Sequence, residues 1–173
     1  VLATQNPIDN EGTYPLPEAE LDRFMMKILI AYPDVEDEVS LTERIAAKAS
    51  GAKQAEVSAV LDTETLSNLQ QLVQSVIVDP QLIQYAVNIV RATREWQGIV
   101  HGASVRASIA LVQTAKVTAL MNGMGFVTPD HIKSMVPAIL RHRVTMSAER
   151  EIAGASIDDV LFELCESVEV PRQ

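Results

Sequence analysis

Three short signals restrict what this chain can fold into: Asp79-Pro80, Thr128-Pro129 and the pair Ser156/Asp159 each stand just before an apolar-periodic segment. An Asp or Thr at a helix N-cap offers its side-chain oxygen to the unpaired N–H groups of the first turn. Proline fits the next position because its missing N–H would have had no partner there. Ser156 and Asp159 have capping-box spacing, in which each side chain bonds the other's backbone N–H. The helix opening at Pro80 is predicted to bury Ile83, Ala86, Val87 and Val90, and the one opening at Ile157 runs through "DDVLFELCESV".

Further segments read the same way. Ser40 and Glu43 are a candidate capping box for a helix ending near Gly51. Leu66, Leu69, Leu72, Val73 and Val76 recur at helical spacing, and residues 104–122 form a long helix stopped by Gly123. Pro137 is predicted to kink or break the helix that starts after Thr128. Aromatics are only 4% of a chain that is 47% hydrophobic. The core must therefore be aliphatic and alanine-rich, which suits helix packed on helix.

The first residues differ in texture. Val1–Ala3 and "MMKILIAYP" read as short buried strands, separated by a Pro/Gly/acid-rich loop and a short helix over Glu18–Met26. The predicted class is mainly α: a helical bundle over 35–173, preceded over 1–34 by two strands and a short helix.

The net charge of −9 excludes a broad nucleic-acid footprint and docking on anionic lipid. No run of about 18 apolar residues exists to span a bilayer. A lone cysteine, Cys165, excludes an internal disulfide, and a cytoplasmic location is expected. His101, His131 and His142 lack metal-ligand spacing, so no metal site is expected. His142, inside "RHR", reads as part of a solvated cationic cluster at a helix end. Gly51-Ala52-Lys53 lacks the upstream Gly and following Ser/Thr of a phosphate-binding loop.

Three polar residues are candidates for chemistry. Arg106 and Lys116 are the only charged side chains in residues 104–122. Arg106 lies in the first turn, where the helix dipole disfavours a cation by about 0.3–1 kcal/mol. It shares a face with Ala110, Gln113 and Val117, and it calls for an anion: a phosphate at the helix end, or a structural acid such as Glu149 or Glu151. Arg23, in "PEAELDRF", either reaches toward a phosphate or pairs in solvent with Glu20 or Asp22. Asn6, at the carboxyl end of the first strand, either holds a water or phosphate oxygen or simply opens a turn with Pro7.

These sites lie in stretches with a wider likeness. "ATQNPIDNEGTYPLPEAELDRF" resembles the second half of the ATPase core in the MoxR family of AAA+ proteins, and "GASVRAS" resembles that family's second sensor. The likeness runs over nearly the whole chain and fits MoxR better than the related magnesium chelatase ATPase subunit. It implies that Asn6 is sensor 1, which places the attacking water. It implies that Arg23 is an arginine finger acting on ATP in the neighbouring subunit of a homo-oligomeric ring, hexameric in the family. It implies that Arg106 is sensor 2, carried on the lid and contacting the phosphates of ATP bound in its own subunit. Where the family usually has proline after "GAS", this chain has Val105. The Walker A loop and Walker B acids, which with Mg²⁺ hold ATP, are not among these residues. The chain is expected to be a carboxyl-terminal half that neither binds ATP tightly nor hydrolyses it alone, its parent a chaperone-like ATPase. The alternative is a non-enzymatic helical interaction module with vestigial sensor residues.

Overall fold

The computed structural model describes residues 1–5, 16–48 and 57–171. In chain order the described elements are α1 (Glu18–Leu21), α2 (Val35–Lys48), α3 (Thr63–Ser75), α4 (Pro80–Ala92), β1 (Ile99–His101), α5 (Val105–Met121), α6 (Pro129–Leu140), β2 (Thr145–Met146), α7 (Ala148–Ile152) and α8 (Ile157–Ser167). The molecule is mainly helical, as its caps imply. It divides into two compact units, Val1–Lys27 with Val73–Gln173, and Ile28–Leu72.

In the larger unit α5 packs on α4 and α6, and α6 packs on α8. Tyr85, Ile89, Leu111, Ile139, Leu140 and Leu164 are fully buried between them. Burying each such aliphatic side chain contributes about 1.5–3 kcal/mol. On α5 the buried positions are mostly small: Ala107, Ala110, Ala115 and Ala119 lie alongside Leu111.

The Asp79 and Ser156/Asp159 caps form as read. Asp79 accepts from Gln81 N at 2.7 Å. Ser156 and Asp159 bond reciprocally, each backbone N–H lying 3.1 Å from the other's side-chain oxygen. On α6 the imidazole of His131 accepts from Thr128 N at 3.0 Å, so this histidine is a buried cap.

Several expectations shift. On α4 the buried stripe is Leu82, Tyr85, Ala86, Ile89 and Val90, the i, i+3, i+4, i+7, i+8 pattern of an amphipathic helix. Ile83 is exposed and Val87 half-buried, because the buried stripe is rotated to take in Leu82 and Tyr85. Helix α2 begins at Val35, with Asp34 rather than Ser40 as its cap, accepting from Asp37 N at 2.9 Å. Three acids in its first turn, Glu36, Asp37 and Glu38, complement the dipole there. The stop near Gly51 lies outside the described residues. Pro137 does not break α6, which runs on to Leu140. So near the helix end the ring forfeits one backbone bond and little more.

The N-terminal elements are shorter than expected. Helix α1 stops at Leu21, and residues 22–25 turn instead. Neither Val1–Ala3 nor the stretch 25–33 forms a strand, because a ladder requires a neighbour and none of the described residues offers one. Among the described residues one backbone–backbone bond remains in the 25–33 stretch, from Lys27 N to Ala138 O at 2.8 Å. The pairing that does form was not anticipated: β1 and β2 are antiparallel, with a register irregularity between Ile99 and His101.

In the smaller unit the apolar stripes of α2 and α3 face outward, with Val39, Ile45, Leu66 and Leu69 all exposed.

Candidate functional site

The start of α5 is fixed from the end of α4. A Cβ on Gly102 would lie 2.6 Å from Arg94 Cα and 2.7 Å from Arg94 N, so only glycine fits this crossing. Beside it the buried Thr93 hydroxyl accepts from Ala103 N at 2.9 Å and donates to Val90 O at 2.6 Å. Arg94 Nε donates to Ala103 O at 3.0 Å. Ser104 then caps α5, accepting from Arg106 N at 3.2 Å. Val105 takes the first helical position without disturbing it.

Pairing of β1 with β2 brings the 141–144 turn toward this helix start, and both meet the turn after α1. Asp22 is the centre. Ser104 Oγ donates to its carboxylate, 2.9 Å from either oxygen. Arg106 Nη1 donates to Oδ2 at 2.9 Å and Arg143 Nε to Oδ1 at 3.1 Å. The Asp22 side chain is 16% exposed and that of Arg143 only 3%. Burial alone would raise the Asp22 carboxyl's pKa. Hydrogen bonds from Arg106 and Ser104, with the charges of Arg143 and Arg106, outweigh it and hold the value below the ordinary one.

Arg143 does more than pair. Its Nη1 donates to Met25 O (3.0 Å) and Ile139 O (2.7 Å), and its Nη2 to Asp22 O (3.1 Å) and Phe24 O (2.6 Å). Arg141 Nη1 reaches Lys27 O at 3.2 Å while holding Asp158 through Nε and Nη2. His142 Nε2 lies 3.0 Å from Phe24 O. The "RHR" tripeptide is therefore not a solvated cluster. Together its side chains grip the backbone of residues 22–27 and explain why α1 does not continue. Burial pulls the His142 pKa below its ordinary value, with Arg143 and Lys27 adding to the effect and the Phe24 carbonyl opposing it.

Around this centre lies an open pocket of about 160 Å³, lined by Asp22, Arg23, Arg106, Gln113 and Arg143 together with Met25, Ile109 and Ala110. Two guanidinium groups bond this carboxylate, and Arg23 lines the same pocket. Arg106 spends a single N–H on Asp22 and keeps 60% of its side chain exposed. Arg23 is exposed and makes no ion pair among the described residues. A larger hollow of about 320 Å³ follows α2 alone and contains no cationic group, so it offers nothing to an anion.

Two sequence candidates thus come together. Arg106 has a structural acid, but it is Asp22 and not Glu149 or Glu151. The pairing of Arg23 with Glu20 or Asp22 does not form, because Asp22 is occupied by the other two arginines. Asn6 lies outside the described residues. Asp22, Ser104 and Arg143 were missed as site residues. The available signal was slight: Asp22 directly precedes Arg23, and an arginine pair flanks His142. Among the described residues no cluster of three or more His, Cys, Asp or Glu could hold a metal, and no helix is long and apolar enough to cross a membrane.

Comparison with known proteins gives this pocket its context. Residues 91–162 match the AAA lid domain, and residues 1–26 match the ATPase family associated with various cellular activities (AAA). The chain is 34% identical to chaperone MoxR1 of Mycobacterium tuberculosis over 183 residues, covering 99% of this chain and 47% of MoxR1. This chain belongs to the MoxR family of AAA ATPases. The uncharacterised Bacillus subtilis protein YeaC is 36% identical over 173 residues, covering all of this chain and 53% of YeaC. Protein MoxR of Methylorubrum extorquens is 26% identical over 205 residues. A crystal structure of a Cytophaga hutchinsonii protein described as an ATPase superposes with a TM-score of 0.87 at 34% identity, covering 98% of this chain and 53% of that one. The chain spans about half the length of the curated relatives it matches. The lid match contains Arg106 and Arg143, and the AAA match contains Asp22 and Arg23. The pocket therefore joins the two matched regions.

Proposed function

We propose that this chain is the C-terminal half of a MoxR-type ATPase, whose residues 1–34 complete an α/β nucleotide-binding core and whose residues 35–173 form the helical lid. In that reading the Asp22 pocket receives the phosphates of ATP, with Mg²⁺ and the nucleotide held chiefly by Walker residues that these 173 residues do not contain. The chain alone is then inactive. The observation that carries the reading is the convergence of Arg23 and Arg106 on one pocket, each with N–H donors to spare.

The resemblance assigned Arg23 to the neighbouring subunit's ATP and Arg106 to the phosphates of its own subunit's ATP. A shared pocket favours a single occupant: if Arg23 meets the neighbour's ATP across a ring, Arg106 meets it too. Arginines so placed stabilise the charge that shifts during phosphoryl transfer, and an arginine finger raises the rate by roughly 10³–10⁵-fold. Asn6 keeps the sensor 1 role by resemblance. The assembly is a homo-oligomeric, hexameric ring in the cytoplasm, and the work done is chaperone-like remodelling of a partner protein, in keeping with the chaperone name of MoxR1.

The test is ATP turnover by the full-length protein with Arg23→Ala or Arg106→Ala. Each should lower kcat by at least tenfold. Unchanged turnover in both would leave the pocket a structural ion pair, as an interaction module with vestigial arginines requires.

A further inference from the structure

We infer that Asp22 is a positioning residue, holding the Arg106 guanidinium at the mouth of the pocket so that Arg106 and Arg23 present one anion-binding face. The inference rests on the proposed ATP-phosphate reading of that pocket.

Asp22 cannot easily turn away. Its carboxylate receives Ser104, Arg106 and Arg143 at once, and the nearly fully buried Arg143 also binds the Asp22 carbonyl. The grip on Arg106 uses Nη1 alone. A guanidinium carries five N–H donors, so most remain for an incoming anion. Asp22 therefore orients the arginine without neutralising the pocket, since two further guanidinium groups line it.

Arg106 also needs such a partner. In the first turn of α5 it faces the positive end of the helix dipole, and without Asp22 nothing among the described residues holds its long side chain in one rotamer. Asp22 immediately precedes Arg23, and Arg23 N donates to Glu20 O at 3.1 Å within the same turn. One backbone turn thus sets both the anchor of one arginine and the origin of the other.

The experiment measures steady-state ATP turnover in the full-length protein for Asp22→Asn, Asp22→Glu, Arg106→Ala and the Asp22→Asn/Arg106→Ala double variant, with thermal melts as a folding control. Asp22→Asn should lower kcat at least tenfold, Asp22→Glu should recover part of that loss, and the double variant should match Arg106→Ala within about twofold, as expected for groups acting as a unit. Because Asp22→Asn leaves buried Arg143 without its counter-charge, it can fail to fold. In that event Asp22→Glu, which keeps the charge, is combined with Arg106→Ala, and non-additive losses are again expected. If Arg106→Ala slows turnover while the folded Asp22 variants do not, or if the two losses multiply, the positioning role is wrong and the pocket reading stands. If Arg106→Ala changes nothing, the pocket reading falls and takes this inference with it.

Discussion

Arg143→Met isolates what the buried arginine contributes, because methionine keeps much of the apolar stem and removes the guanidinium. Five hydrogen bonds disappear: one to the Asp22 carboxylate and four to the carbonyls of Asp22, Phe24, Met25 and Ile139. The carbonyls near the surface recover part of this from water, so the dominant cost is the broken ion pair. With side chains 3% and 16% exposed, screening is weak, and removing one partner of such a pair costs about 3–5 kcal/mol. That is a large share of a typical total stability of about 5–15 kcal/mol. For a chain of this length each kcal/mol moves Tm by about 2–4 °C, so a fall of roughly 6–20 °C is expected in circular-dichroism melts. Hydrogen exchange should localise the effect. The Lys27 amide, bonded to Ala138 O, should lose protection more than amides in the middle of α5. A Tm within about 2 °C of the parent, with Lys27 still protected, would show that "RHR" does not hold residues 22–27.

Gly102→Ala should place a methyl group against the Arg94 backbone, force the start of α5 to shift, and cost about 1–3 kcal/mol as overpacking does, read as a lowered urea midpoint. An unchanged midpoint would mean that the crossing is looser than 2.6 Å implies. His142 gives a pH dependence of definite sign. Its folded pKa is lowered from 6.5, so the unfolded chain takes up the proton more readily, and its share of stability is complete above about 6.5 and lost as pH falls below it. Urea midpoints should drop from pH 7.5 toward pH 5, and His142→Gln should flatten that drop; an equal slope in the variant would assign the effect elsewhere. Asp22 adds a second loss only below its ordinary pKa of 3.8, since its folded value is lowered.

The helical part of the fold was legible because its signals are local. Asp79, Thr128 and Ser156 mark helix starts through chemistry within four residues of themselves, and the α4 stripe needed only a rotation to include Leu82 and Tyr85. The N-terminal strands were not, because an apolar run becomes a strand only when another strand pairs with it. The site was half legible. Arg106 stood out by its place against a helix dipole, whereas Asp22 and Arg143 are separated by 121 residues and meet only through the β1–β2 pairing and the 141–144 turn. No spacing rule reaches that far. The same long-range contact made "RHR" look like surface when it is an anchor.

Whether Arg23 and Arg106 serve one nucleotide is tested most directly by mixing subunits. Full-length Arg106→Ala protein, low in activity alone, is combined with a variant that keeps both arginines but cannot bind ATP. If both arginines act across the boundary on the neighbour's ATP, mixed assemblies regain turnover, because an Arg106→Ala subunit's nucleotide then faces an intact pocket; the same mixture with Arg23→Ala should behave alike. Recovery with Arg23→Ala but none with Arg106→Ala would place the two arginines on different nucleotides and contradict the shared pocket.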